Sequence, residues 1–460
     1  MNMEAFNRKP RSESQDARGV PVSCSQQAAL DLFETALVQY QTYVGDPLAT
    51  IDDALRQAPD FILGHLLRAA LLMTTSEKRF AIEARASVDQ AKALLSSANP
   101  RERALTHAAA ELVEGDWNAS CAAFDAMLVD YPRDAFAIQT AHLMDFYRGD
   151  SLNLRNRVTR VLPYWSADVP GYSYILGMQA FGLEECNQYP EAEETGRRAL
   201  DLEPKDAWAV HAVTHVMEMQ GRIDEGVQWL ESRVDDWAPN NSFAFHNWWH
   251  LALFYLDLGM FHKVLSLYDS QIHPAPPAFT LQLVDATSLL WRLNLEGAET
   301  GKRKDVVAEN WAKRLDTERG FYAFNDFHAM MAFVLANREK EADELIWGME
   351  ATVKENSGTN AMMTRDVGLP LCRAMRAFGQ ERYEDVVSLI GPVRDIAYRF
   401  GGSHAQRDVL TLTLIEGAIR SGQYKLAQHY IAERTILRPR GHWGLRLLRP
   451  CRCPCVLFSR

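Results

Sequence analysis

Two pairs of histidines stand one helical turn apart in this chain. His211 and His215 are followed by Glu218, and His246 and His250 enclose Trp248 and Trp249 in the string HNWWH. Steps of four and three residues put side chains on one narrow stripe of an α-helix. Two imidazoles and a carboxylate on such a stripe are a ligand set for zinc or iron. The segment HAVTH has no glutamate after its first histidine, so the metalloprotease signature is absent. The competing reading is structural: histidines packed on a groove or hydrogen-bonded to the next helix. Trp249 or its neighbour Trp248 is expected to face the core, since adjacent helical residues point apart, and the other to floor a groove.

A third group lies in GGSHAQRD, residues 401–408. The double glycine reads as a loop entering a helix, with Ser403 as N-cap. His404, Arg407 and Asp408 then fall in the first turns. A helix N-terminus with an arginine suits an anion. The competing and favoured reading is a capped helix whose Arg407 and Asp408 charges pair with adjacent repeats. His328, in NDFHAMMAF, falls nine residues before a turn marker, as His250 does. A nucleophilic pairing of Ser403 with a distant histidine, or of Cys372 with His328, sits in no recognised elbow.

The elements that must position these groups are helices. Segments such as QYPEAEETGRRALDLEP (188–204) and GRIDEGVQWLESRV (221–234) are a short turn followed by an apolar stripe at helical spacing. Each is preceded by another apolar helix, such as WAVHAVTHVMEMQ (208–220). Turn markers fall at Gly115, Gly149, Asn187, Gly221, Gly259, Gly301, Asn337, Gln380 and Gly422, about 34 to 43 residues apart. That period predicts an all-α, right-handed superhelix of tetratricopeptide-like helix–turn–helix repeats, with about ten to eleven helical pairs. No strands are expected. The predicted organisation is a disordered segment over 1–24, a repeat array over 25–437 and a basic tail over 438–460, expected to be unstructured.

Composition supports this. The chain has 460 residues, 47% hydrophobic, with only 26 Gly and 19 Pro to break helices. Its net charge of −11 disfavours nucleic acid and anionic membranes. The tail carries six arginines and no acid, leaving −17 on residues 1–437. Cys24, Cys121, Cys186 and Cys372 are scattered singly, and Cys451, Cys453 and Cys455 lack the spacing of common zinc modules. The first 24 residues lack the apolar core of a signal peptide, so a cytoplasmic location is expected.

HAVTHVMEMQGRIDEG (211–226), HNWWHLALFYLDLG (246–259), DATSLLWRL (285–293), GLPLCRA (368–374) and GGSHAQRDV (401–409) together resemble the tetratricopeptide repeat protein 38 family, in the same order from about residue 16 to about residue 435. The resemblance implies an all-helical repeat fold and no assigned activity, so it brings no catalytic residues. The segment after Arg440 departs from it.

Two functions compete on this reading. One is a scaffold holding a protein or peptide partner in its concave groove, with no cofactor. The other is an enzyme or a divalent-metal protein whose histidines meet inside the superhelix. Convergence in space separates them.

Overall fold

The computed structural model describes residues 14–441 and Trp443. Among the described residues there are twenty-four α-helices. Twenty-two of them form eleven consecutive antiparallel pairs, and the short helices Val234–Trp237 and Gly358–Met363 are extra. The chain is an all-α solenoid, as the period predicts.

The turn chemistry explains the pairing. A helix that ends in a left-handed residue reverses direction within a few positions, and glycine or asparagine adopts that conformation at least cost. Asn187 and Asn337 have φ of 62° and 53°, and Gly115, Gly149, Gly221 and Gly259 are likewise positive. At the marker placed on Gln380 the left-handed residue is its neighbour Glu381, with φ 57°. Aspartates open the next helix in several repeats: the Asp116, Asp134, Asp150 and Asp206 side chains each accept a backbone N–H of the first turn.

The first helices of the central pairs face inward. All thirteen residues of Ala207–Met219 are buried. Ala135–Tyr147, Ala323–Leu335 and Thr280–Leu295 are buried nearly all round. A helix wrapped in protein on every side does not line an open groove. The array winds closed instead, and contacts cross it between distant repeats. Tyr322 Oη donates to the Tyr147 carbonyl at 2.9 Å, Asn325 Nδ2 to the Ser76 carbonyl at 3.0 Å, and the Lys78 N–H to Glu318 at 2.6 Å.

Both ends differ from expectation. Residues 14–24, expected to be disordered, form a two-stranded antiparallel pair, Ser14–Gln15 with Pro21–Val22. It is anchored by buried charge: Asp16 lies 3.3 Å from Arg101, which also pairs with Asp134 at 2.6 Å. A polar stretch reads as solvated in sequence, yet here its charges are paired internally. At the other end, Arg438 and Trp443 are packed against the body rather than unstructured. Arg438 lies 3.1 Å from Glu218, and the Arg434 guanidinium stacks over the Trp443 ring. Residues 1–13 and the cysteines of the tail lie outside the described residues.

Candidate metal centre

His211 and His215 lie on Ala207–Met219, and His246 and His250 on Ala244–Asp257, the first helix of the next pair. Neighbouring first helices lie side by side in a solenoid, so the two i, i+4 pairs meet face to face. One ring nitrogen from each of the four lies within 4.8 Å of the others, and all four residues are buried. His211 Nε2 and His246 Nε2 are 3.1 Å apart. Two nitrogens bound tetrahedrally to one zinc ion would be about 3.3 Å apart, given bonds of about 2.0–2.1 Å.

Carboxyl groups stand behind three of the four rings and hydrogen-bond two of them. His246 Nδ1 lies 2.7 Å from Asp285 Oδ2, and His250 Nδ1 lies 2.7 Å from Glu218 Oε2. His215 Nδ1 is 3.4 Å from Glu184 Oε2, an ion-pair distance without hydrogen-bond geometry. A carboxylate on Nδ1 fixes the tautomer and turns the Nε2 lone pair toward a shared point. His250 Nε2 and His215 Nε2 have no hydrogen-bond partner. Burial and the neighbouring histidines hold His211 well below the usual imidazole range. Burial, with His215 and His246 beside it, does the same for His250, and burial pushes His215 down to about 4. The three rings are therefore neutral near pH 7, the form that binds metal.

The outer layer comes from other repeats. Gln406, on His404–Arg420, bonds Asp285 with its side chain, and burial raises the Asp285 carboxyl despite that help. Arg438 bonds Glu218 Oε1 at 3.1 Å, so this one carboxylate serves both His250 and an arginine near the end of the described chain. Glu184 sits beside Glu185, and burial followed by that neighbouring charge pushes it well above the carboxylate range. Glu185 in turn accepts from the His404 backbone N–H at 2.8 Å and from Arg407 at 3.3 Å.

The centre opens on one side. A pocket whose empty space totals about 1110 Å³, part of it open to solvent, has His211, His246 and Asp285 among its lining residues. Its walls are aromatic: Tyr43 stacks on Trp208 and Phe243, which tilt against each other, with ring centroids 5.0 to 6.0 Å apart. Trp208 and Phe243 both reach His211, at 5.0 and 5.1 Å.

The sequence candidates divide. His211, His215, His246 and His250 converge. Glu218, expected beside His211 and His215 as a ligand, instead backs His250, because the superhelical winding turns it toward the next helix. Trp249 does not floor a groove; it is fully buried, stacked on His246 at 5.2 Å. Trp248 is half-buried, edge-on to Trp237 at 4.7 Å. His328 stays apart, since its Nδ1 lies 2.8 Å from the Phe324 carbonyl of its own helix and its ring sits among phenylalanines. His404 and Arg407 bind Glu185, and Asp408 pairs with Arg434 at 2.8 Å. Ser403 caps its helix reciprocally with Gln406, the capped-helix reading of that string. The nucleophile pairings lack support: Ser403 Oγ is occupied as a cap, and burial, then Asp326, raises the Cys372 thiol well above its ordinary range. Sequence reasoning missed Asp285, Glu184, Gln406 and Trp208. Only Asp285 had a visible signal, as an acid inside the apolar run DATSLLWRL.

No family model matches the chain. Among solved structures, a human IFIT1 dimer with m7Gppp-AAAA aligns over 92% of this chain and 94% of that one, at 14% identity and a TM-score of 0.44. Yeast Tom70 aligns over 80% of this chain and 90% of its own, at 11% identity and a TM-score of 0.35. Likenesses this distant carry nothing about what this chain binds. The class is read from the chain's own architecture, a tetratricopeptide-like helical-repeat solenoid. No helix of the described residues is long and apolar enough to cross a membrane.

Proposed function

We propose that this chain is a metal-dependent protein, with a divalent first-row transition ion held by its buried histidines at the floor of an aromatic pocket. The observation that carries the reading is the meeting of His211, His215, His246 and His250 within 4.8 Å, three of them backed by carboxylates. Imidazole ligands suit zinc, copper, iron and nickel. The charge of a dication held there is offset by the Asp285 and Glu218 side chains behind His246 and His250. Such a centre polarises an oxygen or nitrogen of a bound small molecule, and the closed superhelix keeps bulk water from its far side. A cytoplasmic location belongs to this reading, supported by the scattered single cysteines.

A protein or peptide held in a concave groove is the weaker reading, because the inward helices are buried on all sides. The resemblance to the tetratricopeptide repeat protein 38 family is compatible with either function.

The test is elemental analysis of protein purified without an affinity tag. The expected result is about one equivalent of zinc, iron, copper or nickel per chain, lost in the His211→Ala/His250→Ala double variant. Protein that arrives metal-free and takes up none of these ions from buffered solution contradicts the proposal.

A further inference from the structure

The four histidines are not equivalent. His246 and His250 each hydrogen-bond a carboxylate through Nδ1 and His215 Nδ1 has the Glu184 carboxyl 3.4 Å away without a hydrogen bond, whereas His211 Nδ1 is buried with neither. Metal-binding histidines are normally oriented by an acceptor on the second nitrogen, and losing that acceptor weakens the bond to the ion. Catalytic metal sites commonly use three protein ligands and leave the fourth position for water or substrate. His211 also lines the aromatic pocket and packs against two of its rings, Trp208 and Phe243.

The pocket has a definite chemical character. Among the described residues lining it there is no lysine or arginine. Its one acid, Asp285, is already engaged by His246 and Gln406. An anionic ligand finds no countercharge on these walls, and a cation finds only a carboxylate already spoken for. The polar groups nearer the walls are also committed: Tyr40 Oη donates to Thr74 at 3.0 Å, and Tyr147 Oη to the Thr74 carbonyl at 2.6 Å. What remains is a set of flat rings that leads to His211 and His246. Pockets of this kind bury most of a small apolar ligand and orient it by a few polar contacts.

We propose that His215, His246 and His250 hold the ion, and that its remaining position faces the pocket, where His211 hydrogen-bonds the hydroxyl of a neutral aromatic compound. This rests on the metal reading above. The ligand's rings lie along Tyr43, Trp208 and Phe243, and its oxygen reaches the His211 ring where that ring lines the pocket. His211 is thus the ligand's partner rather than an anchor of the ion.

Zinc-loaded protein titrated with 2-naphthol, followed by tryptophan fluorescence, tests this alongside metal analysis. 2-Naphthol should bind, and 2-methoxynaphthalene, with its hydroxyl capped, should bind about tenfold more weakly. His211→Ala and the bulkier His211→Gln should each keep the full metal content and lose about tenfold in 2-naphthol affinity. His250→Ala should lose the metal. Loss of metal in both His211 variants as complete as in His250→Ala overturns the inference and leaves the metal reading intact. So does metal-loaded protein that ignores 2-naphthol or binds both compounds equally. A wild-type protein that binds no metal overturns both.

Discussion

A neutral imidazole has one lone pair to give, and the proton on the opposite nitrogen decides which one. Asp285 and Glu218 are therefore as much part of this site as the rings they hold. Asp285→Asn keeps the shape but replaces the carboxylate acceptor facing His246 Nδ1. It should weaken metal binding by about 10- to 100-fold, read by competition with a chromogenic chelator. Asp326 gives a separate residue-level test away from the centre. Burial pushes its carboxyl up to about 8, while the Gly320 N–H works the other way. Between the ordinary carboxyl range and about pH 8 the unfolded chain has released this proton and the folded chain keeps it. That contribution to stability is therefore present at low pH and lost as pH rises toward 8. Asp326→Asn should remove it, so denaturation midpoints at pH 5 and pH 8 should lie closer together in the variant than in wild type.

The helices were legible in sequence because repeat periodicity and turn residues are local properties. The i, i+4 histidine pairs were legible for the same reason. Their partners were not, since Asp285 lies 39 residues from His246 and Glu218 lies 32 from His250. Which faces meet across that separation depends on how each pair rotates against the next, and a rotation of about 100° per residue makes small register errors decisive. His328 shows the failure: it shares the turn offset of His250 yet bonds its own helix. Gly226 tests the packing of one such pair. A Cβ there would run into the ring of buried Phe254, on the helix that carries His246 and His250. Gly226→Ala should cost about 1–3 kcal/mol in chemical denaturation and weaken metal binding with it. Ser403→Ala should cost about 1 kcal/mol through loss of the cap.

At the scale of the molecule, closure is what turns a repeat array into an enclosed site. The last pair brings Gln406 to Asp285 and His404 and Arg407 to Glu185, while Arg438 reaches Glu218. Polar residues at both ends read as solvated when taken alone, yet Asp16 and Arg18 pair with the first repeats and Arg438 with Glu218 across the closure. Arg438→Met should remove the partner that Glu218 and Asp408 share, and should lower stability by about 3 kcal/mol. Whether the histidines bind one ion together is read most directly by X-ray absorption at the metal edge of the loaded protein. The expected result is a nitrogen shell at about 2.0–2.1 Å with the outer-shell scattering of at least three imidazoles. A first shell of oxygen or sulfur without imidazole scattering would contradict it.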